Sequence, residues 1–199
     1  MIRAGFETTH PITGIRTILV EGAEETNGRG WTIEVHTPPG AVSMLPEHYH
    51  WTWTETFEIL EGRARCSVGG IERTLHAGQS IVMEPKMRHV HPHNIGRGAL
   101  VYRQTDDFGG VDRSAVHDIL GVAATLNGLA GEGKLDATGR PRHLLQFAAT
   151  LRALVRHGGF DGEGAVAVQL AVSATLGPFA TERCAPAWTL GGVFAPMFV

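Results

Sequence analysis

Residues 48–55 read HYHWTWTE and indicate a strand that carries metal-binding side chains. Side chains alternate between the two faces of a β-strand, so His48 and His50 are expected to point to the same side. Glu55 follows after a short connection and can enter the next strand facing the same way. If that side is the interior of a barrel, two imidazoles and a carboxylate meet there. Such a donor set suits Fe, Mn, Ni, Zn, Co or Cu.

A second histidine-rich segment lies further along the chain. Residues 78–94 read GQSIVMEPKMRHVHPHN, which predicts a turn and a strand followed by more histidines. His89 and His91 share one strand parity, so either imidazole can reach the same interior. The sequence therefore offers a fourth metal ligand from this segment and leaves the choice between these two residues open.

The first half of the chain has the pattern of an antiparallel β protein. Residues 32–36 and 63–68 alternate between apolar and polar side chains, and Gly69-Gly70 turns the chain into the run 71–75. Many short strands with glycine and proline turns predict an antiparallel sandwich or barrel.

After residue 109 the pattern changes to a helical period. From Pro141 to Gly158, apolar side chains recur at helical spacing on one face. They are Leu144, Phe147, Ala148, Leu151, Leu154 and Val155. Two more helices are expected at 114–126 and 165–176. We therefore divide the chain into a β domain with an N-terminal arm, residues 1–109, and a helical extension, residues 110–199. The extension is expected to pack on the barrel or on a dimer partner.

Composition excludes several classes of function. The net charge is −3 and no Lys/Arg-rich run exists, so a nucleic-acid partner is not expected. Two cysteines, Cys66 and Cys184, form neither a disulfide framework nor a Cys-type zinc site, and they are compatible with a cytoplasmic protein. The N-terminus lacks the pattern of a signal peptide. The uncharged stretch 164–181 is too short to span a membrane and predicts a buried helix. The apolar run 185–199 suggests docking, including against another subunit.

The spacing of these residues resembles the two sequence motifs of the cupin superfamily. The matching positions are, in the first motif, Gly40, His48, His50, Glu55 and Gly62, and, in the second, Gly78, Pro85, His89 and Asn94. Lys86 stands where the second motif usually has a glycine. The resemblance covers residues 40–94. It implies a cupin-type antiparallel β-barrel, also called a jelly roll or double-stranded β-helix, over roughly residues 25–105.

The resemblance also implies a site. Three histidines and one glutamate would bind one divalent transition metal: His48, His50, Glu55 and His89. Water or substrate would fill the remaining coordination positions. His91, Phe57 and Tyr102 are candidate substrate contacts, although Phe57 suits a core position equally well. His91 is also a candidate acid or base, because the ordinary pKa of histidine lies near neutrality.

Three functions are compatible with this sequence. The first is a metal-dependent enzyme that acts on a small organic molecule. By resemblance to the family, its reaction would be a dioxygenation, isomerisation, cyclisation or decarboxylation. The second is a non-catalytic module that binds or senses a small ligand at the metal. The third is a partner-binding protein whose function lies in the C-terminal helices. A homodimer is an expectation from the family resemblance alone.

Overall fold

The fold consists of antiparallel strands followed by helices. The computed structural model describes residues 3–43 and 45–178. Its strands are β1 (Glu7–Thr9), β2 (Arg16–Glu21), β3 (Gly30–Thr37), β4 (His48–His50), β5 (Thr54–Glu61), β6 (Arg63–Val68), β7 (Ile71–His76), β8 (Ser80–Met83), β9 (His89–Asn94), β10 (Leu100–Asp107) and β11 (Gly159–Asp161). Its helices are α1 (Arg113–Gly131), α2 (Leu144–Val155) and α3 (Val166–Thr175).

The strands form two sheets of the jelly-roll type. One sheet has six strands in the order β1-β2-β3-β10-β5-β8, and the other has five in the order β11-β4-β9-β6-β7. Consecutive strands alternate between the sheets at several points, which places the two histidine-bearing strands β4 and β9 side by side and opposite β5. The jelly-roll class predicted from the sequence is confirmed. In the described residues, however, hydrogen bonds do not join the two sheets into a closed barrel.

Strand periodicity builds the core between the sheets. Along β10 buried and less buried residues alternate, as expected for a strand with one face against a core. Phe57, Ile59 and Leu100 are fully or almost fully buried there. Burying each such side chain contributes roughly 1.5–3 kcal/mol. This packing fixes the positions of β5 and β10. Both strands also carry polar residues, at the ends that lie away from these core side chains.

Two turns show why the motif positions matter. Gly62 has φ +88°, and a Cβ there would lie 2.4 Å from the carbonyl oxygen of Ala99, so a side chain does not fit. Lys86 has φ +71° although it is not a glycine. Its backbone N–H donates to the carbonyl oxygen of His50 at 2.6 Å. The backbone is therefore left-handed at the position of the motif's usual glycine, and Lys86 adopts this conformation at some energetic cost.

The helices differ from their predicted bounds at both ends. Helix α1 extends beyond the predicted range 114–126 and is capped by Asp112, whose carboxylate accepts from the Ala115 N–H at 3.0 Å. Helix α2 begins at Leu144, after Pro141, which instead pairs with Leu135 in an isolated bridge. Both helices pack on the strands. Val116 of α1 contacts the cluster around Leu19 and Trp31, and α2 packs on Tyr49 and Phe160.

Helix α3 is less buried than the sequence predicted. Gln169 and Ser173 are buried, whereas Val168 and Leu170 are exposed. None of the helices in the described part of the chain has the length and hydropathy needed to cross a membrane. The apolar run 185–199, predicted to dock against a partner, lies outside the described residues. The strand β11, from the second half of the chain, pairs with β4 and so joins the histidine-bearing sheet.

Candidate metal centre

The candidate site lies where β4 and β9 face β5 across the interior. His48 is the Cα partner of His89 in the antiparallel pair between β4 and β9. His91 lies two residues further along β9 and therefore faces the same side. Glu55 projects from β5 of the opposite sheet. Two short strands of one sheet and a third strand of the other thus bring imidazoles and a carboxylate together.

Four side chains form a compact donor cluster. One ligand atom from each of His48, Glu55, His89 and His91 lies within 4.8 Å of all the others. The Nε2 atom of His89 is 2.7 Å from Oε2 of Glu55, and Nε2 of His91 is 3.4 Å from Oε1. Apart from the half-buried His48, these residues are buried. The sequence predicted three of the four members and left His91 as the alternative to His89.

Backbone carbonyls fix the proton positions on two of these imidazoles. Nδ1 of His48 is 2.9 Å from the carbonyl oxygen of Pro46, and Nδ1 of His89 is 2.8 Å from that of Met87. A carbonyl oxygen can only accept, so each Nδ1 carries the hydrogen. In the neutral ring, Nε2 then holds a lone pair that faces the cluster. A backbone hydrogen bond of this kind is how metal-binding histidines are commonly oriented.

The cluster fits a divalent transition metal. Nε2 of His89 and Nε2 of His91 are buried and have no hydrogen-bond partner of acceptable geometry, despite their short distances to Glu55. When these two nitrogens carry no hydrogen, they and the carboxylate present lone pairs to one another. A cation among them would satisfy all three groups, and imidazole with carboxylate suits Fe, Mn, Co, Ni, Cu or Zn. The chain therefore holds a His-His-His-Glu cluster that could bind a metal ion.

The side chains of the cluster shift one another's pKa values. Burial alone would raise the pKa of Glu55, but the surrounding imidazoles, above all His91, lower that pKa well below its ordinary value. Burial alone would lower the pKa of His89, but the adjacent carboxylate of Glu55 raises it. For His48, burial and the neighbouring imidazoles lower the pKa well below the ordinary value. These shifts favour an ionised Glu55 and a neutral His48, as metal binding requires, whereas Glu55 favours a proton on His89 that a metal ion would have to displace.

His50, which the sequence predicted as a ligand, lies beside this cluster. Its side chain is fully buried, and its ring stacks on Trp53 with centroids 4.3 Å apart. Nε2 of His50 lies 3.4 Å from Oε2 of Glu55, and Nδ1 has no hydrogen-bond partner. His50 thus contacts the carboxylate of the cluster, while the four mutually close donor atoms include one from His91 instead.

Strand β10 adds two polar residues that the sequence reasoning missed. Nε2 of Gln104 donates to Oε1 of Glu55 at 2.6 Å and to Oδ1 of Asp106 at 3.1 Å. Burial, followed by the negative charge of Glu55, raises the pKa of Asp106 well above its ordinary value. A signal was available in the sequence, because Tyr102, Gln104 and Asp106 occupy alternate positions of one strand and so share its inward face.

A cavity of about 330 Å³ opens from the cluster toward the helices. His48, Glu55 and His91 line one end of it. Of the predicted substrate contacts, His91 and Tyr102 line this cavity. Phe57 is fully buried, with its ring centroid 4.8 Å from that of His91, and it is not part of the cavity wall. The cluster is therefore accessible to a small molecule from one side.

Known proteins resemble part of this chain. Residues 33–102 match a sequence family described as the cupin domain. No curated protein sequence matches the chain. Among solved structures, a predicted oxalate decarboxylase from Thermotoga maritima is 17% identical with a TM-score of 0.45, over 54% of this chain and 99% of that one.

Two further solved structures are similar over about half of the chain. A conserved protein with a double-stranded β-helix domain from Klebsiella pneumoniae is 21% identical with a TM-score of 0.43, over 52% of this chain and 86% of that one. KdgF from a Halomonas species is 16% identical with a TM-score of 0.40, over 50% and 84% of the two chains. The family match spans the strands that carry the cluster, from β3 to β10. By this family match, residues 33–102 form a cupin domain.

Proposed function

We propose that this protein is a metal-dependent cupin enzyme that acts on a small organic molecule, in an oxygenase or isomerase/cyclase type of reaction. The observation that carries the proposal is that three members of the donor cluster line a cavity. A structural metal site is closed by protein ligands, whereas a catalytic site keeps positions open to water or substrate. Here His48, Glu55 and His91 line the cavity wall, so a bound metal would be reached from it.

We propose His48, Glu55 and His89 as ligands, with His91 as the fourth because its free Nε2 belongs to the cluster. The sequence-based alternative keeps His50 in that place. When bound, a transition metal would polarise a substrate oxygen as a Lewis acid or, if it were iron, activate dioxygen. Assigning His91 to the metal removes it as a general acid or base.

The chain's own residues would orient the ligands and hold protons. Gln104 donates to Glu55 and so fixes the direction of its carboxylate. The carbonyl oxygens of Pro46 and Met87 hold two imidazoles with Nε2 toward the cluster. Asp106, which lines the cavity, is kept in the protonated form by burial and by the charge of Glu55. These contacts support a site whose geometry exists before a metal arrives, so that little ordering is needed on binding.

Metal reconstitution with a turnover assay tests the proposal. The purified protein would be analysed for metal, stripped with a chelator and reloaded separately with Fe(II), Mn, Co, Ni, Cu or Zn. We expect metal-dependent turnover of an oxidisable or enolisable substrate in a broad panel, followed by oxygen uptake and product analysis, and loss of turnover in Glu55→Gln. A metal-loaded protein that turns over no compound in the panel would contradict the enzyme proposal.

A non-catalytic ligand-binding or sensing cupin is the second candidate. It is favoured by the cavity wall away from the cluster, where apolar side chains predominate, because such side chains bind ligands without exchanging protons. Under this alternative a ligand binds with metal-dependent affinity and is recovered unchanged. The homodimer and the cytoplasmic location stay predictions, and light scattering of the full chain in solution checks the first of them.

A further inference from the structure

We propose that the cavity takes a substrate with one oxygen donor and an apolar body about the size of two fused rings, and that helices α1 and α2 form much of the wall that binds this body. The inference rests on the proposed function only where it places the oxygen donor of the substrate at the metal cluster. It assigns a role to the helical extension and narrows the class of substrate.

Two chemically different sets of side chains line the cavity. One set is the polar groups of the cluster. The other set is apolar and comes largely from the helices and from β3, with Ile119, Leu120 and Leu126 from α1, Phe147 and Leu151 from α2, and Trp31 from β3. Apolar walls of this kind gain roughly 25 cal/mol for each Å² of apolar ligand surface removed from water. A ligand is therefore expected to place its donor at the cluster and its hydrocarbon part against the helices.

The charges on the cavity wall disfavour a ligand that carries an anionic group on its apolar body. Among the described residues that line it, Arg140 is the single lysine or arginine. Its guanidinium already donates to both carboxylate oxygens of Asp161, at 2.7 and 2.8 Å, and to Glu163 at 3.0 Å. The cavity residue His10 has its pKa lowered by burial and is neutral. A ligand carboxylate placed against the apolar side chains would thus lose its hydration without a free cation to pair with, which is costly.

The volume sets the size of the body. An apolar cavity on the order of 150 Å³ is enough to bind benzene, in the protein for which this is known. The cavity of about 330 Å³ is roughly twice as large. It also lies at the lower end of the roughly 300–1,000 Å³ range of organic ligand pockets. Two fused six-membered rings are therefore a better match than a single ring or a small dicarboxylate.

Calorimetry with three probes tests the inference. 2-Naphthol, phenol and malonate would be titrated into the full chain, both metal-loaded and stripped with a chelator. We expect 2-naphthol to bind about tenfold more tightly than phenol, equivalent to about 1.4 kcal/mol, through its larger apolar surface. In the stripped protein we expect naphthol to remain bound and malonate to show no binding. Malonate binding to the stripped protein as tightly as naphthol would overturn the inference.

A matched pair of substitutions locates the binding site. Ala123 of α1 and Ala174 of α3 are both exposed alanines of helices, but only Ala123 lines the cavity. Ala123→Trp is expected to fill the pocket and weaken naphthol binding at least about tenfold, with Ala174→Trp as the control that leaves it unchanged. Ala123→Leu should give an intermediate loss and serves if the tryptophan variant does not fold. Unchanged naphthol affinity in folded Ala123 variants would overturn the assignment.

The outcome is separable from that of the proposed function. Naphthol binding to the stripped protein depends on the apolar walls and not on the metal. Failure of the chain to bind any metal would therefore refute the metal proposal while the Ala123 comparison still reports on the pocket. Conversely, metal binding in the Ala123 variants should stay as in the unchanged protein, because this residue does not contact the cluster.

Discussion

His48 faces His89 directly across the antiparallel pair of β4 and β9, and the centroids of their rings are 4.4 Å apart. Opposed positions on neighbouring strands bring side chains within about 5 Å of each other. The two imidazoles are therefore held together by backbone pairing before any ligand binds. The Nδ1–H of each ring also donates a hydrogen bond to the carbonyl oxygen two residues earlier in the chain. Metal affinity should accordingly depend on side-chain identity more than on folding around the ion.

Glu55→Gln is expected to weaken metal binding. The carboxylate is the one negative charge in the cluster of mutually close donors, and glutamine keeps its shape while removing the charge. Because even indirect partners of a metal contribute about 10–100-fold in affinity, we expect a loss of about a hundredfold or more. Titration calorimetry or competition with a coloured chelator measures it.

Glu58→Gln is the matched control for this change. Glu58 lies on the same strand, has a half-exposed side chain and is 3.9 Å from Arg103 in a weak ion pair. Its substitution should leave metal affinity unchanged. Equal metal affinity in Glu55→Gln and Glu58→Gln would remove Glu55 from the ligand set.

Comparison of His91→Gln with His50→Gln identifies the fourth ligand. The free Nε2 of His91 belongs to the donor cluster, whereas His50 contacts Glu55 and stacks on Trp53. We expect His91→Gln to weaken metal binding about a hundredfold and His50→Gln, which acts through Glu55, only about tenfold. The opposite order, measured by the same titration, would favour the set predicted from the sequence.

Asp106→Asn is expected to stabilise the metal-free protein at neutral and alkaline pH. Burial and the charge of Glu55 raise the pKa of Asp106 in the folded state. A carboxyl with a raised folded-state pKa stabilises the fold at low pH, and this contribution is lost as the pH rises through that pKa. Asparagine removes the penalty, so the gain should be largest near pH 8 and vanish below about pH 4.

Urea unfolding at several pH values, with a chelator present, measures the effect. Asp107→Asn is the control, because Asp107 is the next residue along β10 and its side chain is about half exposed, 3.9 Å from Arg29. It should show no comparable dependence on pH. A destabilised Asp106→Asn protein at pH 8 would mean that the carboxyl is ionised and stabilised by its neighbours.

Arg140→Gln is expected to loosen the helical half from the strands. The guanidinium forms a two-point ion pair with Asp161, and the two side chains are only 19% and 16% exposed. Hydrogen bonds to charged groups contribute roughly 1.5–3 kcal/mol, so we expect a loss of about 2 kcal/mol in the free energy of unfolding. The exposed pair of Arg65 and Glu72 is the control, because Arg65→Gln should cost less than about 1 kcal/mol.

The effect of Arg140→Gln should also depend on pH. Burial alone would raise the pKa of Asp161, but hydrogen bonding to Arg140 lowers it. The contribution of this carboxyl is complete above about pH 4 and is lost as the pH falls through its folded-state pKa. The difference in stability between the variant and the unchanged protein should therefore shrink on acidification. A constant difference down to pH 3 would show that the ion pair is not its source.

Much of the fold could be predicted because its information is local. Alternation along the strands and glycine-marked turns predicted an antiparallel sandwich or barrel, and the resemblance to the cupin motifs narrowed it to a jelly roll. The spacing of His48, His50 and Glu55 identified the segment that carries the site. The helical period found all three helices of the described residues but not their ends. Pro141 suits a first helical turn, yet its pairing with Leu135 delays the start of α2.

The choice among histidines could not be made from strand parity. His48, His50, His89 and His91 all face inward, and parity treats them alike. What separates them is side-chain packing, because stacking on Trp53 holds the ring of His50 while Nε2 of His91 remains without a hydrogen-bond partner. These contacts join residues that are distant in sequence, and spacing within one strand does not encode them.

The cavity wall that α1 and α2 supply is separate in the chain from the strands that carry the histidine cluster. Mutations in the two helices would therefore change which ligand fits the cavity while leaving the histidine cluster intact. Relatives that keep the strands and vary the helices would form a natural series with one chemistry and many substrates, and exchange of these helices between such relatives is a direct route to redesigned selectivity.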